Sequence, residues 1–446
     1  MKKKIGFVSL GCAKNLTDTE TMLGVLSDNG YDITADPTEA QIIVVNTCAF
    51  IDSAKEESIG AILEMAAYKE DKCELLIVAG CLAQRYKSDI EEELPEVDII
   101  LGTTDYAHIA EAIEKYYTNG TKLAMVGDAN TPVDYDLPRI RTTAPYTAYL
   151  KIADGCDNYC TYCIIPKLRG KYKSRPEDSI VAEAKELASN GVKELILIAQ
   201  DTAYYGKDRG SYALAPLLGR LSEIDGIEWI RLQYCYPENI TEELIAEIET
   251  NPKVVKYIDM PLQHVSDSVL KRMGRRSRQS EIESIVSSLR RRIPDVIIRT
   301  SLIVGFPGET QQDFETLKKF LTDYPLDRVG VFTYSCEEGT PAADFDNQVA
   351  HEVKDARRDE VMSLLRDISL SLNKAKVGKI TEAIVEGYDE DEFCYVGRTS
   401  QDTPEVDGNA YIYSEYELCA GDIVSIKVID ADEYDITGEV THEFTK

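Results

Sequence analysis

Six times between residues 146 and 340, a short run rich in Val, Ile and Leu gives way to a stretch of helical period. The runs are "AYLKIAD", "ELILIAQD", "WIRLQYC", "YIDMPLQ", "VIIRTSLIVGF" and "RVGVFTYS", separated by helical patterns at about 177–190, 212–223, 241–250, 267–290 and 310–322. Strand–helix alternation of this length specifies a parallel sheet with helices packed outside it. Eight units close a full barrel, so six predict a partial (β/α)6 barrel, open along one side. A long charged helix at about 350–376 follows, and the unit as a whole is expected to span 142–372.

Both flanks differ from this centre. Residues 1–135 alternate on a smaller scale, with runs "KIGFVSLGC", "QIIVVNTC", "ELLIVAGC" and "VDIILG" and amphipathic stretches at 17–29 and 52–69. They predict a separate parallel-sheet α/β domain. Pro132, Pro138 and Pro145 break the stretch 127–146, which reads as a linker. Residues 375–442 change character again. "ITEAIVEGY", "FCYVGRT", "AYIYSEY", "DIVSIKVIDAD" and "DITGEVTHEF" predict five short strands in a small antiparallel β-barrel. The opening "MKKKIGFVSLGCAKN" places basic residues before an apolar run, but the run stops at Lys14-Asn15 and Asp18 and Glu20 follow. It reads as a first β-strand rather than an export signal. No apolar run approaches the roughly 20 residues that span a bilayer, so the expectation is a cytoplasmic protein without a membrane partner.

Eleven cysteines in such a chain argue against a disulfide framework and for metal or redox chemistry. Cys156, Cys160 and Cys163 lie within "DGCDNYCTYCIIP", directly after the first barrel strand. They therefore sit at the carboxyl end of that strand, where barrel sites are built. A structural zinc site takes four protein ligands, and here no fourth cysteine is near. One arrangement is a zinc knuckle with a remote ligand. The other is a four-iron cluster whose fourth iron stays open for a small molecule. Cys12, Cys48 and Cys81 share a second pattern, since each ends an apolar run: "VSLGC", "VVNTC", "IVAGC". Ligands of open parallel sheets gather beyond the carboxyl ends of the strands, which would bring these three thiols to one edge. From spacing alone, ordinary buried cysteines stand as the alternative.

The first spacing, with Tyr162 before its last cysteine, resembles the radical S-adenosylmethionine (SAM) superfamily. "SLGCAKNLTDTE", "VNTCAFIDSAKEES", "VAGCLAQRY" and "GCDNYCTYCIIPKLRGKYKSRP" together resemble the methylthiotransferases, in order and over essentially the whole chain. That resemblance implies a cluster domain, a radical SAM barrel and a carboxyl-terminal TRAM barrel. It implies one 4Fe–4S cluster on Cys156, Cys160 and Cys163 that cleaves SAM, and a second on Cys12, Cys48 and Cys81 that carries the sulfur to be transferred. One SAM would methylate that sulfur. Another would yield the radical that removes hydrogen from substrate carbon. Cofactor contacts are expected at Tyr162, Gln200, Asp201 and Gly305. Lys167, Arg169, Lys171, Lys173 and Arg175 are either receptors for a SAM or substrate carboxylate or a solvated loop. "KRMGRRSRQ" and Arg290–Arg292 read as exposed basic faces, His264 as a hydrogen-bonded structural residue, and the other cysteines as packing. No residue is singled out as an acid–base catalyst.

The family divides between an aspartate of small-subunit ribosomal protein number twelve and an adenosine beside the tRNA anticodon. "SLGCAKN", "ELILIAQDTAYYG", "PLQHVSDSVLKRM", "GVFTYSCEEGTPAA" and "TPEVDGNAYI" resemble the ribosomal-protein branch. Charge agrees. The chain carries a net −30, and residues 374–446 hold six Lys and Arg against eighteen Asp and Glu. A surface that reads nucleic acid is basic, because phosphate contacts dominate its affinity, whereas an acidic one complements a basic ribosomal protein. The expected partners are that protein, alone or in the small subunit, and an electron-donor protein, with tRNA as the alternative substrate. A non-catalytic iron–sulfur ribosome factor would have closed cluster sites, which neither cysteine set suggests.

Overall fold

The computed structural model describes residues 3–441. Met1, Lys2 and the end of the fifth expected tail strand, His442–Phe444, lie outside them, as does the expected domain limit at 442.

The first sheet holds β1 (Lys4–Ser9), β2 (Asp32–Thr34), β3 (Ile42–Thr47), β4 (Leu75–Gly80), β5 (Ile99–Leu101) and β6 (Leu123–Met125) in the order β2-β1-β3-β4-β5-β6. All of its pairings are parallel. Central strands β3 and β4 are buried along their whole length, as a sheet covered on both faces requires. The covering helices are α1 (Ala13–Asp28), α2 (Asp52–Ala66), α3 (Cys81–Arg85), α4 (Lys87–Glu93) and α5 (Ile109–Asn119). The order reverses between β1 and β3, the switch point at which open α/β sheets take their ligands.

The central unit is an open sheet of six parallel strands, in the order β14-β13-β12-β11-β10-β7. These are β7 (Thr147–Lys151), β10 (Glu194–Ile198), β11 (Trp229–Leu232), β12 (Val254–Asp259), β13 (Ile297–Val304) and β14 (Arg328–Thr333), with a two-residue pair β8 (Ala153–Asp154) and β9 (Lys173–Ser174) beside the cysteine loop. Its helices are α6 (Ile165–Arg169), α7 (Glu177–Ser189), α8 (Leu214–Ser222), α9 (Glu242–Thr250), α10 (Asp267–Arg272), α11 (Gln279–Arg292), α12 (Gln311–Asp323) and α13 (His351–Lys374). Local chemistry starts several of them. Thr310 Oγ1 accepts the Asp313 N–H and Asp313 returns the bond to the Thr310 N–H, a capping box that fixes α12.

The tail closes into a five-stranded barrel of β15 (Ile380–Asp389), β16 (Cys394–Thr399), β17 (Ala410–Tyr413), β18 (Ile423–Ala431) and β19 (Ile436–Val440). Four of its pairings are antiparallel, while β17 and β19 run parallel and complete the closure. This small barrel packs against the central sheet, reaching β10, β11, β12 and β14. Buried Arg398 joins Glu194 at the start of β10, and Glu194 also takes Arg231 Nε at 2.8 Å. Arg328, the first residue of β14, holds Asp402 at 2.7 Å. Tyr257 donates to Asp407 and Gln233 to Thr403, both at 2.7 Å. The segment "TPEVDGNAYI" is thus a docking loop, in which Asp407 faces the central sheet while Glu405 is exposed to solvent.

Candidate active site

Each cysteine set leaves the carboxyl end of a parallel strand, and the two sheets turn those ends toward one another. The start of α1 enters the mouth of the central sheet, where Ala13 and Leu16 pack with Tyr149, Ile196, Ile198 and Tyr234. Ile164 and Leu168 of the barrel cysteine loop in turn join the core under β3 and β4.

Asn15 gathers the first set. Its Nδ2 donates to Leu10 O at 3.0 Å and Thr47 O at 2.8 Å, just before Cys12 and Cys48, and its Oδ1 lies 3.8 Å from Cys81 Sγ. Gly11 adopts φ +91°, and a Cβ there would stand 2.9 Å from Cys48 Cβ. Only glycine lets the first loop come this close. Burial pushes the Cys48 thiol up and takes Cys81 to about 12, the latter against the pull of Arg169. Cys12 is reached by solvent. Lost hydration opposes its ionisation, but Lys14, Arg169 and backbone N–H groups outweigh that and hold the thiol below its ordinary range.

The second set is deeper, with Cys156 and Cys160 about 5 % and 4 % exposed. Burial, reinforced by Cys160, drives Cys156 to about 12 and Cys163 higher still. Clustered buried thiols that resist ionisation call for positive charge to stabilise them as thiolates, which metal supplies. Among the described residues, no three His, Cys, Asp or Glu side chains stand close enough to share a single ion. A cube of four irons is wider than one ion and takes its thiolates further apart.

Several polar atoms around the second set are buried without partners: Tyr162 Oη, Gln200 Oε1, and Nε and Nη1 of Arg275. Such atoms are costly unless something fills the space before them, and a polar cofactor fits. Arg275 lies with its guanidinium 4.0 Å from the Tyr236 ring and near Cys160 and Tyr162. The basic run "KRMGRRSRQ" is therefore not wholly an exposed face. Gly274, at φ +73°, turns the chain inward after α10 and buries Arg275.

The other expected contacts divide. Gln200 Nε2 donates to Asp154 Oδ1 at 3.1 Å. Asp201 is buried, accepts from Asn158 at 3.0 Å and Asn239 at 2.7 Å, and is pushed up by burial to about 6. Both of those bonds anchor loops, one of them the cysteine loop itself. Gly305 has its open face filled by the Lys354 side chain, with which any Cβ would collide, and its N–H donates to Glu309. His264 is fully buried and its Nδ1 accepts the Ser266 N–H at 2.9 Å.

The run after the cysteine loop is not solvated as a whole. Arg169 and Arg175 are buried in ion pairs, with Asp18 and Asp154 for the first and Glu183 for the second. Lys167 donates to Gly339 O and Lys173 to Ala129 O. Asn15, Asp18, Arg275 and Glu337 carry much of the site yet escaped the sequence reading. One signal was present: "AKNLTDTE" opens a helix but carries no apolar stripe, so its polar residues had to meet polar partners inside.

Comparison with known proteins agrees with this geometry. Residues 4–102 match the model described as uncharacterized protein family UPF0004, residues 150–321 the radical SAM superfamily and residues 377–441 the TRAM domain. A ribosomal protein uS12 methylthiotransferase RimO of Acetivibrio thermocellus is 51% identical, covering 100% of both chains. RimO proteins of Trichlorobacter lovleyi and Geobacter sulfurreducens are each 49% identical, over 99% and 98% of this chain and 99% of theirs. Among solved structures, the radical SAM methyltransferase TsrM from Kitasatospora setae, described with cobalamin and a [4Fe-4S] cluster, aligns with a TM-score of 0.56. Its identity is 14%, over 75% of this chain and 72% of its own. At that identity the likeness speaks for the fold. Three matched domains and full-length relatives place the chain in the RimO family of radical SAM methylthiotransferases.

Proposed function

We propose that this protein transfers a methylthio group to the β-carbon of an aspartate in ribosomal protein uS12, using SAM and two 4Fe–4S clusters. The observation that carries the reading is the pair of three-cysteine sets, neither with a fourth cysteine nearby in sequence, on facing carboxyl edges of two parallel sheets. Cys156, Cys160 and Cys163 would hold one cluster and Cys12, Cys48 and Cys81 the other. When bound, they supply reductive cleavage of SAM on one side and an activated sulfur on the other.

The chain's own residues bind, orient and exclude water. Tyr162, Gln200 and Arg275 offer their unpartnered atoms to the polar groups of SAM, with the backbone at Gly305 bordering the same end of the sheet. Asp201 acts through Asn158, holding the cysteine loop. The buried walls of the barrel mouth keep solvent from a reactive radical.

The working units in this reading are residues 1–135, 142–372 and 375–442. The relatives' name supports uS12 as substrate. The acidic tail complements a basic partner, either free uS12 or the small subunit. A protein electron donor and a cytoplasmic setting complete the proposal. No described helix is long and apolar enough to cross a membrane.

The test is anaerobic mass spectrometry. The reconstituted protein receives SAM, sulfide and a strong reductant, with uS12 and bulk tRNA offered in parallel. One sulfur and one CH2 gained on a single aspartate supports the proposal. The same gain on an adenosine, with uS12 unchanged, overturns it.

A further inference from the structure

Arg169 ends α6, just after the barrel cysteine loop, yet its guanidinium lies in the other domain's site. It is 3% exposed. Nη1 donates to Asp18 Oδ2 at 2.7 Å and lies 3.4 Å from Asp154 Oδ2. Nη2 donates to Asn15 Oδ1 at 2.7 Å and stands 3.9 Å from Cys81 Sγ. Asp154 continues the path, for its Oδ1 accepts the Gly155 N–H at 2.9 Å and Gln200 Nε2 at 3.1 Å. Cys156 is the next residue.

We propose that Arg169 is the positioning residue that sets the first cysteine set in register with the second, while donating a hydrogen bond to the sulfur of Cys81. This rests on the two-cluster reading above. The guanidinium suits the task because its planar fork serves four acceptors at once; a lysine ammonium is a point charge with three donors. Its charge is balanced locally. Arg169 and Lys151 face Asp18 and Asp154, so the group can be buried without a net charge beside the thiols. Domain docking does not depend on it alone, since Glu337 holds Lys55 and Arg85 at a separate point. A register role matters for chemistry because a sulfur presented about 1 Å off line can cost up to a hundredfold in rate. A hydrogen bond to a cluster thiolate raises its reduction potential.

The test uses R169K and R169M in the full chain with clusters reconstituted. The first readout is deoxyadenosine formed per methylthio product. The second is the midpoint potential of the amino-terminal cluster, measured in a background carrying Cys156→Ala, Cys160→Ala and Cys163→Ala. The expected result is SAM cleavage retained, with deoxyadenosine per product raised about tenfold or more. The potential falls in R169M, and falls less in R169K. Thermal unfolding reports separately whether each variant is folded, and the lysine variant keeps the charge should the methionine one fail to fold. A coupling ratio and a potential both equal to the parent's overturn the proposal. An unsubstituted protein that binds only one cluster overturns the reading beneath it, and iron analysis shows that independently of any variant.

Discussion

Glu337, in the loop after β14, accepts from Arg85 Nη1 at 3.1 Å across 252 residues of chain. The same carboxylate takes Lys55 at 3.0 Å, and Arg85 also donates to Ala49 O, beside Cys48. One buried acid of the barrel thus fastens the helix that begins at Cys81 and the loop that follows Cys48. Glu337→Gln removes the charge that Arg85 and Lys55 share, leaving Lys55 only its pairing with Asp52. Breaking a buried pair from one side costs about 3–5 kcal/mol. The expected outcome is a lower melting temperature and faster protease cleavage in the linker 127–146. An unchanged cleavage pattern would contradict it.

Asn15→Ala removes the amide that ties the Cys12, Cys48 and Cys81 loops together. It takes a partner from the buried Thr47 carbonyl, the part-buried Leu10 carbonyl and an Arg169 N–H, a buried group so stranded costing about 1–3 kcal/mol. The first cysteine set should lose its iron during gel filtration while the barrel set keeps its own. Loss of iron from both sets, or from neither, counts against the gathering role.

Glu194 sits fully buried between Arg231 and Arg398. Glu194→Gln strands two cations at the junction of the central sheet and the small barrel, at a cost of about 3–5 kcal/mol. Hydrogen exchange should rise first in β15, β16 and the 399–407 loop, because they lose their anchor. Uniform protection across that junction would refute the prediction.

Asp201 supplies a pH dependence. Its carboxyl titrates near 6 in the folded chain, raised by burial, against about 4 in the unfolded one. Between those values the native state holds a proton that the unfolded state has released. Stability from this group therefore falls as pH rises from about 4 to 6 and stays lower above. Asp201→Asn removes that slope. The difference in unfolding free energy between parent and variant should change by on the order of 2 kcal/mol across this window. Parallel curves would show that Asp201 does not titrate there.

Much of the architecture could be read before any coordinates, because it rests on local patterns. Six apolar runs with helical spacers became six parallel strands, and five turn-bounded runs became a closed barrel. Strands β2 and β6, three residues each, left too little periodicity to register. The parallel contact of β17 with β19 reflects how the barrel closes, which no local window records. The barrel cysteines stood out by their spacing within eight residues, and Cys12, Cys48 and Cys81 because each follows an apolar strand. Arg275 and Glu337 did not, and Arg169 stood out only as one of five cations after the loop, since a charged residue looks solvated until its distant partner is known. The acidity of the tail was visible as a sum, but Asp402 and Asp407 spend their charge on Arg328 and Arg299.

The most direct measurement is iron and acid-labile sulfide per chain, taken anaerobically on the reconstituted protein and on two triple variants. One variant carries Cys12→Ala, Cys48→Ala and Cys81→Ala, and the other Cys156→Ala, Cys160→Ala and Cys163→Ala. Two 4Fe–4S sites predict about eight irons in the parent and about four in each variant. A parent with about four irons, undiminished when Cys12, Cys48 and Cys81 are replaced, would contradict the account.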